Sequence, residues 1–488
     1  MKFREHPLRI MRYSAKNLWL LIFPLLRGIS VLKFDLSGIY RWVKGAWLDL
    51  AVIGIIIIYG YIQWHFSEIS IDGNQLCRKK GILFRMKTVM PFDSVSSAAE
   101  ETLFFLIPFK AVSIRLDTGA GFYKSADLKL LVKRKTADEI MGHIPDVKKE
   151  NAVKDIPKPG IVSIMLFSVF FSSGFSGVVY IAAFFFKGGD IAKDIFSIAF
   201  EKVTQQAEII YSRLLSGIPK AAAMAALFFF VMWLISFIRN LLIYAWFAIS
   251  ADRDFINVSF GLLKRRRHRI RTEHINYIDL RQNLIMKICG AFTVNISCPG
   301  YGYDSHLPVI FPMGNSKKPG LFVKRGEEVM KYRPARTSFF SYAGVPFFSI
   351  IAISLLYHFS NYLLWDDRGL WKFLAVMAYI PLVWLVMVKV AALLISGITV
   401  YSDKIVIRSV VGTVFHTVTA KKENIAMVQI NRNIIQRIFR KCTVVIWFTG
   451  ETPSRYKVKG LWLKEGRNIS EMLITIPETT VDKSNWHK

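Results

Sequence analysis

Three copies of one spacing constrain this chain more than any other feature. Asp72, Asp252 and Asp403 each stand nine residues before a glycine, at Gly81, Gly261 and Gly412. Each glycine is followed, after 12, 12 and 11 residues, by an acidic residue: Asp93, Glu273 and Glu423. The register continues downstream. Glu273 leads Val294 by 21 residues, Glu423 leads Val444 by 21, and a looser copy runs from Asp93-Ser94-Val95 to Lys110–Ile114. One such match arises easily by chance. Three in register against hydrophobic segments mark an internal repeat, which constrains the architecture more than any single residue does.

Within the copies the pattern is that of strands. Ile256, Val258 and Phe260 alternate with Asn257 and Ser259, a period of two that turns one face inward. A glycine after such a run permits the positive φ of a hairpin turn. Leu284–Ile288 reads equally as a short helix or a bent strand. Thr136-Ala137-Asp138-Glu139 has the capping-box pattern of a short helix ending before Pro145. Asp93, Glu273 and Glu423 stand just before a strand, which suits a turn or hydrogen-bonding role better than catalysis.

Between the copies the chain is apolar. It is 53% hydrophobic with 38 Phe and 12 Trp, and its mean hydropathy is +0.34. Ala46–Trp64 reads as a membrane span with Tyr59, Tyr61 and Trp64 crowding one end as an interfacial belt. Asn17–Leu32 is apolar but short, since crossing takes about 20 residues. Ile161–Phe186 carries no charge, and Lys220–Ile249 is interrupted only by Arg239. Ser338–Phe359 and Leu370–Ser396 form the last pair, the second containing Lys389.

The expected architecture is a membrane α+β fold. Six transmembrane helices in three pairs are each followed by a small, mostly β domain. The boundaries are a basic N-terminus and first pair (1–65), domain 1 (66–145), a charged linker (146–159), and the second pair (160–249) enclosing an extracytoplasmic helix (187–219). Domain 2 (250–337), the third pair (338–396), domain 3 (397–477) and a polar tail (478–488) complete the chain. Two crossings per repeat return every β domain to one side. The formal net charge is +30, and Lys and Arg concentrate on that side, so the positive-inside rule makes it the cytoplasm.

Two features invite a functional reading. Arg239 lies 13 residues before Asp252 and Lys389 lies 14 before Asp403. An intramembrane base is a functional candidate, while snorkelling to headgroups is the bland alternative. The run Lys264, Arg265, Arg266, Arg267, His268, Arg269, Ile270, Arg271 is the sharpest charge feature. Three readings stand side by side: a solvated strand face near anionic lipid, a specific acidic partner or headgroup, and nucleic acid. The last is disfavoured because no aromatic residues interleave.

Enzymatic signatures are missing. The nine His form no HExxH, Gly174-Phe175-Ser176-Gly177 is not GxSxG, and Gly314–Gly320 lacks the spacing of a phosphate loop. The four cysteines, Cys77, Cys289, Cys298 and Cys442, are scattered and fit neither a disulfide frame nor a zinc site. No catalytic residue, cofactor or metal is expected.

The basic N-terminus with His6-Pro7-Leu8, the paired apolar segments, Gly-Ile-Leu at Gly81 and Phe92-Asp93-Ser94-Val95 together resemble the bacterial pleckstrin-homology-like (PH-like) membrane proteins of the YdbS/YdbT type, in a three-copy form. The resemblance covers almost the whole chain and lies in arrangement rather than in single residues. It implies a PH-like β-sandwich or partial barrel for each copy, closed by a C-terminal helix that Thr136–Ile144 and Glu465–Ile474 fit. Gly326–Tyr332 fits that helix more weakly, and Pro299, Pro308 and Pro312 break the late strands of the second copy. It also implies a smaller single-domain PH-like partner subunit and a role in resistance to membrane-active peptides.

The leading functional expectation is a non-enzymatic protein of the bacterial inner membrane. Its three cytoplasmic PH-like domains dock on anionic lipid or on a partner protein, not on nucleic acid. A transporter or channel component for amphipathic peptides or lipids is the alternative, and an enzyme acting on lipid would need a clustered polar pocket at the membrane face.

Overall fold

The structure, a computed structural model, describes residues 2–11, 47–81, 84–120, 126–144, 159–171, 220–252, 254–301, 309–315, 327–363, 368–450 and 454–474. The chain divides into two compact units. One comprises Met1–Ile156, Trp246–His274 and Pro299–Asp304; the other comprises Pro157–Ala245, Ile275–Cys298 and Ser305–Lys488.

In the first unit, strand β1 (Lys2–Arg4) pairs with β2 (Glu68–Asp72), although helix α1 (Trp47–His65) lies between them in sequence. β2, β3 (Gln75–Lys80) and β4 (Met86–Pro91) complete a four-stranded antiparallel sheet in the order β1-β2-β3-β4. A 3-10 turn at Phe92–Ser94 leads to β5 (Val95–Leu103), β6 (Ala111–Thr118), β7 (Leu128–Lys133) and helix α2 (Arg134–Gly142). Ile69, Leu76, Phe92, Ile114, Leu130 and Ile140 meet in one buried core, so α2 closes the two sheets through its apolar side. α2 begins two residues before the expected capping box, with no side-chain cap. Its Arg134 is held instead by Glu100 at 2.8 Å.

The second copy does not close on itself. Its first strands, β8 (Ala248–Ala251), β9 (Phe255–Phe260) and β10 (Lys264–Arg271), extend the sheet of the first copy in the order β7-β6-β5-β10-β9-β8. Its next strands belong to the second unit.

That second unit contains the apolar helices α3 (Ile161–Phe171) and α4 (Lys220–Tyr244), then β11 (Tyr277–Gln282), the short helix α5 (Leu284–Ile288), β12 (Ala291–Ser297), β13 (Val309–Asn315) and β14 (Glu328–Tyr332). Helices α6 (Phe339–Leu363) and α7 (Arg368–Ile395) follow, and then β15 (Gly397–Tyr401), β16 (Lys404–Val411) and β17 (Val414–Lys421). The seven-stranded sheet runs β13-β12-β11-β17-β16-β15-β14. A turn at Lys422–Asn424 leads to β18 (Ile425–Asn431), α8 (Ile434–Ile438), β19 (Lys441–Phe448), β20 (Ser454–Trp462) and the closing helix α9 (Leu463–Ile474). Where a weak closing helix near Gly326–Tyr332 was expected, the chain forms β14, which pairs with β15 of the third copy as β1 pairs with β2 of the first. In both copies the edge strand precedes a described apolar helix and the strand it pairs with follows that helix.

The repeat markers fall on matching positions. Asp72, Asp252 and Asp403 sit at the first hairpin turn of each copy. Gly81, Gly261 and Gly412 sit at the second with φ of 111°, 106° and 64°. Asp93, Glu273 and Glu423 occupy the 3-10 turn between sheets. The residues 21 positions beyond, Ile114, Val294 and Val444, are all fully buried.

The expectation of six transmembrane helices in three pairs is overturned. Among the described residues only Arg336–Phe359 and Ala378–Ile395 are long and apolar enough to cross a membrane. The apolar stretches Ala51–His65, Ile161–Phe170 and Phe228–Tyr244 fall short of the about 20 residues that a crossing takes. The two that qualify have 17% and 11% of their residues buried within the protein, so neither is a core helix whose apolar side chains are used up by packing. Asn17–Leu32, the latter part of Ile161–Phe186, the expected extracytoplasmic helix at 187–219, most of the linker 146–159 and the tail 478–488 lie outside the described residues. Cys77, Cys298 and Cys442 are buried and Cys289 is exposed. Burial pushes the Cys442 thiol up to about 11, so that sulfur stays protonated and inert.

Candidate functional site

The basic run forms β10, and pairing with β5 decides what its charges meet. Arg266 lies opposite Glu101 and Arg267 opposite Glu100 in the register. Glu101 is buried and is reached by Arg115 Nη2 at 3.0 Å, Lys264 Nζ at 3.0 Å and Arg266 Nε at 3.5 Å. Arg269 donates to the carbonyls of Met141 and Ile144 at the end of α2, at 2.6 and 3.0 Å. Arg271 donates to the carbonyl of Asp93 at 2.8 Å. The period of two puts Lys264 and Arg266 on one face with the buried His268 and Ile270, and Arg265, Arg267, Arg269 and Arg271 on the other. On that second face Arg269 and Arg271 still reach carbonyls of the first copy, while Arg265 and Arg267 are exposed.

A second buried carboxylate joins the other half of the second copy to the third. Asp279 on β11 is fully buried; its Oδ2 faces His416 Nδ1 on β17 at 2.9 Å, Arg281 Nε at 2.7 Å and the hydroxyl of Tyr456 on β20 at 3.3 Å. Burial alone would raise its pKa, but the hydrogen bond and charge of His416, with Arg281, hold it below the usual carboxylate range. The same burial, with the Asp279 charge beside it, pushes the Tyr456 phenol upward, so it stays a neutral donor. The carboxylate is enclosed by partners from β11, β17 and β20, so the cluster reads as a structural clasp.

The exposed apolar residues are more suggestive. In the first copy the turn after β5 presents Phe104, Phe105, Ile107 and Phe109 to solvent. In the second copy α5 presents Ile285 and Ile288, and in the third α8 presents Ile434, Ile435 and Ile438 with Phe439. Phe104, Leu284 and Ile434 each follow the acidic marker of their copy by 11 residues. These are equivalent turns, and Ile288 and Ile434 are each 78% exposed. The capping box of Asn433 and Gln436 fixes α8 so that its isoleucines point outward.

Each turn is tied to an apolar helix of its own unit. Trp64 near the end of α1 donates to the Glu5 carbonyl at 2.7 Å, and the neighbouring His6 Nε2 lies 3.1 Å from the Phe109 carbonyl. The backbone N–H of Phe104 donates to the carbonyl of Leu263 at 3.0 Å, which joins the exposed tip Leu262-Leu263 to the same patch. Asn283, the N-cap of α5, donates to the Phe170 carbonyl of α3 at 3.3 Å. Lys441, just after α8, donates to Thr337 Oγ1 at 2.8 Å, two residues before α6.

Of the two bases in apolar segments, Lys389 donates from α7 to the carbonyl of Gly412 in the β16–β17 turn at 2.9 Å. It reaches toward the β domain, as a snorkelling lysine does, rather than into a polar path. Arg239 lies on α4, half-buried and partnered.

The bacterial PH domain family matches residues 25–148 and 196–332, more than half of the chain. This protein belongs to that family. The matched PH regions include the first two copies. The third copy shares their strand order, their glycine and acidic markers and the closing helix of the first. No curated protein and no solved structure matches the chain. Sequence reasoning identified the PH domains but passed over Glu101, Asp279 and the apolar turns. The constant 11-residue step from marker to turn was the available signal.

Proposed function

We propose that this PH domain protein is a non-enzymatic membrane docking protein whose PH-like domains ride on the bilayer surface. The observation that carries this reading is the equivalent apolar turn in all three copies, exposed and fastened in each case to the end of an apolar helix. Burying a Phe, Leu or Ile side chain contributes about 1.5–3 kcal/mol, so four such residues in one turn favour the headgroup–acyl boundary over water. Arg265 and Arg267, free of the β5 seam, add attraction of about 1 kcal/mol each near an anionic surface. The formal net charge of +30 supports the cytoplasmic face of the bacterial inner membrane as that surface, through the positive-inside tendency. A smaller PH-like subunit co-purifying in mild detergent would extend the reading to a partner and to peptide resistance.

Spin labels on the reconstituted full chain test the docking. A label replacing Phe105, Ile288 or Ile438, in a background without native cysteines, is expected to be accessible to oxygen and shielded from a water-soluble nickel chelate. A label at the exposed Asp138 serves as the aqueous control. Equal chelate access at all four positions rules docking out.

A further inference from the structure

The second unit contains a cavity of about 220 Å³ whose lining is rich in cations and contains no carboxylate among the described residues. Lys287, Lys331, Arg333 and Arg408 line it with the hydroxyl-bearing Thr399 and Thr417. Strand register explains the convergence. Lys331 on β14 lies opposite Thr399 on β15, Gly397 lies opposite Arg408 on β16, and Arg408 lies opposite Thr417 on β17. Residues two apart on a strand share a face, so four neighbouring strands aim their polar side chains to one side. Lys287 enters from α5 and is seated over the ring of Phe415 at 5.3 Å. The remaining wall is Leu394, Ile395 and Ser396, where the apolar stretch Ala378–Ile395 ends.

None of these four cations is in an ion pair among the described residues, and Lys287 registers the surplus. Its pKa is lowered by burial and then by the charge of Arg408. The first copy carries a carboxylate on the corresponding face. There Lys2 lies opposite Ser70 and Arg4 opposite Glu68, with Glu68 opposite Lys79. Glu68 occupies the place of Gly397, since Ile69 and Ile398 are the matching core residues. The third copy has no side chain there, and a Cβ on Gly397 would stand 2.7 Å from the Tyr332 carbonyl oxygen.

We propose that this cavity binds a phosphate group, supplied by an anionic lipid headgroup at the end of the apolar helix or by a soluble phosphate ester. Arg333 and Arg408 offer planar forks suited to phosphate oxygens, Lys287 and Lys331 are point charges, and the threonines are added donors. The lipid source rests on the docking reading above; the phosphate site itself does not.

Native mass spectrometry of the full chain, with equimolar phosphatidylglycerol and phosphatidylcholine, tests it. Wild type is expected to retain phosphatidylglycerol, and Lys331→Gln with Arg333→Gln to lose about thirtyfold of that retention, two cations being removed. Both residues are exposed, so the fold tolerates the change. Arg408→Gln is expected to act alike, and Lys87→Gln with Lys135→Gln, an equal charge change at exposed positions of the first unit, to retain the lipid. Equal loss in that control, or no loss in the cavity variants, overturns the site. Glycerol phosphate added without lipid separates the sources. If it binds wild type but not Arg408→Gln, and phosphatidylglycerol shows no preference, the site stands with a soluble ligand. If neither binds above the Arg408→Gln level, the site falls. The spin-label depths are a separate readout, so docking and the cavity fail independently.

Discussion

The two seams that hold the divided second copy solve one problem with opposite polarity. At the first seam the neighbour supplies the carboxylate. Glu101 of the first copy is buried and gathers Lys264 and Arg266 from the second copy, with Arg115 from its own sheet. At the other seam the second copy supplies it. Asp279 is buried and gathers His416 and Tyr456 from the third copy, with Arg281 beside it. An edge strand offers unpaired backbone groups to any partner. A buried charge set against its complement penalises a wrong register, because a slip leaves a charge without water or counterion. The comparison teaches that the copies were joined by strand addition, each junction carrying its own electrostatic key.

The largest effect is expected from removing those keys. Glu101→Gln leaves three cations around a neutral group, and loss of one buried partner costs about 3–5 kcal/mol. Asp279→Asn is expected to cost less within the same range, since it strands the one guanidinium of Arg281 where Glu101→Gln strands three cations. Denaturant unfolding of the purified chain measures both. If Asp279→Asn proves the more damaging, the seams are not ranked by the charge they strand.

These seams also mark where reading the sequence stops. The repeat was legible because its markers occupy turns: Gly261 needs a positive φ, and a Cβ there would overlap the Lys264 carbonyl oxygen. Turn chemistry of that kind is local. Strand partners are not. β10 alternates as well against β5 as it would against a strand of its own copy, so nothing in residues 264–271 announces the sharing. Glu101 lies in the unremarkable run Ser96–Thr102, and its role appears only once Arg266 is opposite it. β14 was misread for a related reason, its sheet resuming only at Gly397, beyond two apolar helices. The site was less legible than the fold. The apolar turns have a constant offset, but the cavity draws its cations from α5, β14, β16 and the segment after β14, residues more than a hundred positions apart.

The glycines sharpen the comparison at a smaller scale. Gly261 serves the first seam and Gly412 the sheet of the second, but only Gly261 is crowded. Gly412 has φ of 64° and nothing within 4 Å of a Cβ. Gly261→Ala is expected to cost about 1–3 kcal/mol from strain at that φ. Gly412→Asn is expected to cost only a few tenths, asparagine being at home in the left-handed region. Melting temperatures of the two variants report the difference, and equal losses would mean that φ alone, not crowding, governs these turns.

The smallest effect separates the seams by acid. Asp279 has a folded pKa below its ordinary 3.8, because burial, which would raise it, is outweighed by His416 and Arg281. A carboxylate depressed by folding contributes stability that is fully present above its unfolded pKa and is lost as pH falls through the folded value. The second unit is therefore expected to keep its full Asp279 contribution at neutral pH and to give it up only below about pH 4. Asp279→Asn should flatten that acid limb while lowering stability at pH 7. Hydrogen exchange at β11 and β17, followed from pH 6 downward, reads the contribution in place. A limb of unchanged slope in the variant would assign the acid loss to other carboxylates and leave the Asp279 seam held by its hydrogen bonds rather than its charge.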